Sequence, residues 1–137
     1  MKVILCLLPI VLIILLSASE SLAKVQNITV KGQVICDKRS MRNVRVELRE
    51  HDTFDPDDAL NETHSDKDGY FNVFGTEDEI QTIRPYIRLT HTCDVTNKAT
   101  CSRITDFDLP EDKIGTVYDM NFVNLNLRGN RDSETCT

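Results

Sequence analysis

The sequence has no tryptophan, only five glycines and four prolines, and few aromatic residues. Apolar content is nevertheless ordinary at 40%, so disorder is not the expectation. Positive charge is also in deficit: 16 Lys and Arg stand against 22 Asp and Glu, a formal net charge of −6. A nucleic-acid binder normally presents a basic face, so the balance argues against a nucleic-acid partner. It also argues against simple electrostatic docking on anionic membranes, unless a local basic patch or a bound cation overrides it. Catalytic strings are missing too. There is no Gly-x-Ser-x-Gly elbow, and no serine stands out beside a base.

What is present begins with an export signal. Lys2 opens the chain, Val3 to Leu16 are apolar but for Cys6 and Pro9, and Ser21-Leu22-Ala23 offers small residues for a signal peptidase. The run is shorter than the roughly 20 residues of a spanning helix. Residues 1–23 are therefore read as a signal peptide and residues 24–137 as one domain. No second long apolar run follows, so no transmembrane segment is expected in the remaining chain.

Removing residues 1–23 takes Cys6 away and leaves Cys36, Cys93, Cys101 and Cys136. An even set in an exported chain reads as disulfides rather than metal or thiol chemistry, with three pairings open. The sequons Asn27-Ile28-Thr29 and Asn61-Glu62-Thr63 mark Asn27 and Asn61 as candidate glycosylation sites. Both features point to a secreted, extracellular protein.

Hydrophobic periodicity is that of strands. Ile28, Val30 and Val34 alternate with polar neighbours, and so do Val44, Val46 and Leu48. The polar segment Cys36 to Ser40 connects them. Gly69 to Gly75, Tyr86 to His91, Ile104 to Leu109 and Tyr118 to Leu127 supply further strands. In the last of these the parity slips between Phe122 and Val123, which predicts a bulge or a change of buried face. Glu77 to Gln81 is the one segment read as a helical turn. The sum is an all-β sandwich.

Three groups of residues invite a chemical reading. Asp66 and Asp68 precede Gly69 as in the start of an EF-hand loop, but no bidentate glutamate and no flanking helices follow. A strand-connecting turn, with aspartates bonding nearby amides, accounts for them. Asp52, Asp55, Asp57 and Asp58 form an acidic loop around Pro56, which is either solvated or holds a cation or basic partner. His51, His64 and His91 each sit near a strand end, with no spacing that implies convergence on zinc. No catalytic residue, metal or cofactor is assigned.

Longer strings carry a resemblance. Val30 to Cys36, Asn43 to Leu48, Phe54 to Leu60, Asp66 to Phe71, Pro85 to Cys93, Cys101-Ser102-Arg103 and Tyr118 to Leu127 together resemble the nematode transthyretin-like family. The resemblance implies a transthyretin-like (prealbumin-like) sandwich of two four-stranded sheets. In that topology the ends of the first strand and the Pro85 strand share an edge, so Cys36–Cys93 with Cys101–Cys136 is feasible. Cys93–Cys101 with Cys36–Cys136 is its rival. In the wider superfamily, 5-hydroxyisourate hydrolases end in Tyr-Arg-Gly-Ser. Here Leu127-Arg128-Gly129-Asn130 keeps only the central pair, which argues against that activity.

The family resemblance implies instead a secreted, non-enzymatic binding or adaptor protein. Its partners would be an exposed phospholipid head group such as phosphatidylserine, a cell-surface receptor, or both. A signalling or structural protein with a protein partner and no lipid ligand is the alternative. Lys38, Arg39, Arg42, Arg45 and Arg49, the densest basic stretch, are the candidate ligand surface. The sequence sets no oligomeric state.

Overall fold

The computed structural model describes residues 24–79 and 81–137. The expected signal peptide, with Cys6, lies outside the described residues. Nine strands follow in order: β1 Lys24–Cys36, β2 Arg39–Ser40, β3 Arg45–Glu50, β4 Asp58–His64, β5 Tyr70–Glu79, β6 Pro85–His91, β7 Cys101–Asp108, β8 Val117–Asn124 and β9 Arg131–Cys136. Among the described residues the helical content is one 3-10 turn, Glu111–Lys113.

Two sheets form the sandwich. In the first, β1 is central, with β5 antiparallel on one side and β8 parallel on the other, and β2 pairs its last residues. The second is wholly antiparallel in the order β4-β3-β6-β7-β9. Between them lie the alternating residues the sequence marks out: Ile28, Val30 and Val34 of β1, Val46 and Leu48 of β3, Phe71 and Val73 of β5. Ile87 and Leu89 of β6 face Val123 and Leu125 from the end of β8 across the same core. At about 25 cal/mol per Å² of apolar surface, burying side chains of this size is what drives the two sheets together.

The expected parity slip is real. The β1–β8 register shifts where Lys31 pairs Asp119 but Gln33 pairs Phe122. Asn121 takes the left-handed conformation there (φ 59°). Phe122 is thereby turned to solvent while Val123 is buried. The connection at Cys36 to Ser40 is a two-residue hairpin: Asp37 and Lys38 both have positive φ, the backbone such a turn requires.

Three expectations need correction. Glu77 to Glu79 is not a helical turn but the end of β5, paired with Gln26 to Lys24; alternation along β1 dictates the extended form. Ile80 lies outside the described residues. The second sheet has five strands rather than four, because Arg131–Cys136 forms β9 on the edge of β7. The stretch before Leu60 is only partly loop, since Asp58 already pairs Glu50 as the start of β4. Both missed strands are sheet edges with almost no apolar residues, so their periodicity is silent.

The cysteines are joined as Cys36–Cys93 and Cys101–Cys136. The first links the end of β1 to the residue region after β6 and so crosses between sheets. The second joins directly opposed residues of β7 and β9.

Candidate functional site

The outer face of the first sheet carries a groove. Two rows of residues cross it, Asn72–Lys31–Asp119 and Tyr70–Gln33–Phe122, and a third, Phe74–Thr29–Val117, continues the same face beyond it. Strand alternation puts all of them on the side away from the core. Phe74, Val117, Tyr70 and Phe122 are at least half exposed. Gly32 and the Asn121 bulge also line the groove, and His64 and Asp66 close one side of a cavity of about 540 Å³. Lys31 Nζ stands 4.0 Å from Asp119 Oδ2 in the middle row. The groove thus offers a cation, two carboxylates and an aromatic rim within one open depression. This geometry suits a small ligand carrying charges of both signs.

The Asp66–Gly69 segment beside it behaves as a turn. Asp66 Oδ1 accepts the amides of Asp68 and Tyr70, each at 2.9 Å, and Gly69 has φ +83°. Asp66 is therefore occupied in shaping the backbone.

The outer face of the second sheet is a closed polar network. Tyr86 is fully buried there although it points away from the core. His51 stacks on its ring at 4.2 Å, and the Arg131 guanidinium lies 5.1 Å from the ring centre. The Tyr86 hydroxyl donates to Asp57 Oδ2 (2.9 Å) and accepts from Arg49 Nε (3.0 Å). His51 Nδ1 meets Asp57 at 3.0 Å, and its Nε2 lies near Asp108 and Arg131. Burial pushes Asp57 up, but the Asp52 amide, the Tyr86 hydroxyl and His51 outweigh it and hold it below the usual carboxylate range. Asp108 is held low chiefly by its bond to Arg131. Arg88 grips Asp106 through two bonds of 2.9 and 3.0 Å. His51 thus ties the Tyr86 ring to Asp57, Asp108 and Arg131.

The three histidines stand apart in character as well as sequence. His51 belongs to that network, and His64 is exposed at the groove wall. His91 is buried, accepts the Cys93 amide on Nδ1 and meets Thr105 Oγ1 at 2.9 Å. Burial and the nearby Arg103 lower its pKa to about 4. Arg103, itself fully buried, donates to the carbonyls of Cys93, Leu125 and Leu127 and pairs Asp132 at 2.6 Å. Sequence reasoning missed this buried arginine. Its only signal was a charge at an inward position of β7.

The basic stretch divides. Arg45 pairs Glu62 at 2.7 Å, and Arg49 is held by Glu47, Tyr86 and the Asp57 carbonyl. Lys38, Arg39 and Arg42 are exposed around the β1–β2 hairpin, and no ion pair engages them among the described residues. Gln33, in the groove, donates to both Ser40 Oγ and the Asp68 carbonyl, which sets this hairpin beside the groove's end. Asn27 is exposed on the groove face of β1. Asn61 is exposed on β4, with its side-chain nitrogen donated to the Phe74 carbonyl at 2.8 Å.

The acidic loop also divides. Asp55 is exposed, Asp57 serves His51 and Tyr86, and Asp52 and Asp58 turn toward Glu50. Glu134 lies close to Cys101 and Cys136, but those sulfurs are bonded to each other and are not ligands. No helix among the described residues is long and apolar enough to cross a membrane.

A two-sheet β-sandwich with one disulfide between its sheets, a second within the larger sheet and an open charged groove defines a class of small disulfide-stapled domain. This chain belongs to the transthyretin-like family, whose sequence profile matches residues 31–110. Transthyretin-like protein 16 of Caenorhabditis elegans is 45% identical over 119 residues, covering 87% of this chain and 89% of that protein. Transthyretin-like protein 46 of the same organism is 33% identical over 122 residues, covering 84% and 68%. Among solved structures, a 9R-lipoxygenase from Cyanothece PCC8801 superimposes with a TM-score of 0.52 at 17% identity. It covers 73% of this chain and 16% of the lipoxygenase, a likeness of fold alone.

Proposed function

We propose that this protein is a secreted, non-enzymatic extracellular binding protein that takes a phospholipid head group, phosphatidylserine, in the groove of its first sheet and bridges it to a cell-surface receptor. The observation that carries the reading is the groove's composition: Lys31 beside Asp119, with Asp66 on the wall and Tyr70 and Phe122 exposed around them. A serine head group carries an ammonium, a carboxylate and a phosphate, so it needs cationic and anionic partners together. The apolar rim suits the glycerol and chain end of a lipid. Lys38, Arg39 and Arg42 supply a basic border near the groove's end. Oxidised cysteines and two sequons support an extracellular setting.

The tail Leu127 to Asn130 supports the absence of hydrolase activity. Arg128 is engaged with Asp94 and Asp132, and Gly129 makes a left-handed turn against the Asp106 carbonyl. Sedimentation with vesicles of phosphatidylserine, phosphatidylcholine or phosphatidylinositol tests the proposal. Selective phosphatidylserine binding is expected, weakened at least about tenfold by Lys31→Ala with Phe122→Ala. Lys38→Ala with Arg39→Ala and Arg42→Ala should weaken it less and make it less salt-sensitive. Equal indifference to all three vesicles would sink the lipid reading in favour of a protein partner at the same aromatic face.

A further inference from the structure

An unusual carboxylate stands at the opposite end of the core from the first disulfide. Glu50 is the last residue of β3 and points inward, between the sheets, with 3% of its surface exposed. Its Oε1 is buried without a hydrogen-bond partner. An orphaned carboxylate oxygen in a folded interior is costly, and proteins seldom leave one without a proton or cation to meet it.

Around it the chain gathers more acid. Ligand oxygens of Glu50, Asp52 and Glu79 all lie within 4.8 Å of one another, and so do those of Glu50, Asp58 and Glu77. Glu50, Asp52 and Glu79 line one cavity of about 260 Å³. Three separate elements supply these groups: β3 with the loop after it, the first residue of β4, and the end of β5. Their approach is set by the fold. The Gln26 side chain pins the crossover from β5 to β6, donating to the Gln81 carbonyl and accepting the Ile83 amide. Arg84 also lines the cavity, and its guanidinium donates to Thr53 Oγ1 at 3.2 Å without forming an ion pair with these acids. Among the described residues no ion pair engages Glu50, Asp52, Asp58, Glu77 or Glu79, and Lys24 lies opposite Glu79 in the β1–β5 register.

We infer that Glu50, Asp52 and Glu79, with Asp58 and Glu77 flanking them, bind one divalent cation, calcium by their ligand chemistry, and so tie the end of β3 to the end of β5. An all-carboxylate oxygen set is the hard-ligand choice of calcium or magnesium rather than zinc, which prefers histidine and cysteine. His51 also lines the cavity, but its nitrogens are committed to Asp57 and Asp108. Carboxylates from different strands, on elements of different mobility, suit calcium's flexible coordination better than magnesium's strict octahedron. Water completes the shell. The site lies apart from the lipid groove and does not depend on that reading.

Isothermal titration of the chelator-stripped, disulfide-bonded full chain with calcium chloride, and separately with magnesium chloride, tests the inference. One saturable calcium site is expected with a Kd of about 10⁻⁴–10⁻³ M, the range of extracellular modules, and weaker magnesium binding. At ten times the Kd, calcium should raise Tm by a few degrees. Glu50→Gln should reduce calcium affinity at least about tenfold, and at pH 8 its Tm without calcium should exceed that of the parent, because no carboxyl remains to be ionised inside the fold. Glu79→Gln, at a less buried position, should also weaken binding and guards against a folding failure of the first variant. Absence of saturable heat up to about 10 mM calcium, well above that affinity range, together with an unchanged Tm would overturn the site. So would calcium affinity undiminished in both variants, which would mark loose ion gathering by exposed acids.

Discussion

Arg103 is the residue on which the most depends. A guanidinium with no exposed surface has its charge met by Asp132 and its remaining donors met by three carbonyls. Breaking such a buried pair is costly because the surviving charge has no water to turn to. Arg103→Met should therefore destabilise by about 3–5 kcal/mol in denaturant titrations. Arg103→Met with Asp132→Asn should cost less than the sum of the two single changes. His91 in the same network has a definite protonation. Its Nδ1 accepts an amide, so Nε2 carries the proton toward Thr105. Burial, reinforced by Arg103, lowers its pKa from 6.5 to about 4. The unfolded chain takes up this proton first on acidification, so His91's contribution is complete above pH 6.5 and is lost as pH falls toward 4. An NMR titration should find the His91 ring still neutral at about pH 5.5. Neither role is legible in the sequence, where one histidine looks like another.

Strands with a buried apolar face announced themselves, including the first sheet's edges β5 and β8, and the polar edge strands of the second sheet did not. β1, β3, β6 and the end of β8 each bury alternate Val, Ile or Leu residues, and that period is visible in the residues alone. β4 and β9 close the two edges of the second sheet with Asp, Asn, Glu, Arg and Ser. Polar edges deter edge-to-edge aggregation, and the same polarity hides them from a hydrophobic pattern. β9 is held by backbone pairing to β7, by Asp132 under Arg103 and by Cys136. Replacing Cys101 and Cys136 together by serine should cost about 2–4 kcal/mol. Hydrogen exchange should then find protection lost in β9 while β6, the centre of that sheet, stays protected. At the β4–β5 turn, Gly69→Ala should cost more than about 1 kcal/mol, since a methyl at positive φ would also press on the Val34 carbonyl.

Stability of the whole molecule should be squeezed from both sides of neutrality. On the acid side His91 takes up its proton between pH 6.5 and 4 in the unfolded chain only. Asp108, held low by Arg131, and Asp132, where Arg103 and Thr105 outweigh burial, lose their contribution below the ordinary carboxylate range. On the alkaline side the sign reverses. Burial, then Glu79 and its acidic neighbours, raise Glu50 from 4.5 to about 8. The native state then holds a proton that the unfolded chain has released, so Glu50's contribution falls as pH rises from 4.5 toward 8. In chelator, Glu50→Gln should raise Tm at pH 8 and change it little at pH 4.5, as thermal melts would read directly. The residues alone determined the all-β class and the faces of the apolar strands, because local alternation and composition act over a few residues. Tertiary structure alone decided which cysteines pair, that Arg45 and Arg49 are consumed by acids while Lys38, Arg39 and Arg42 are not, and that Glu50 meets Asp52 and Glu79. Those contacts join residues far apart in the chain, and only the stacking of two sheets sets their distance.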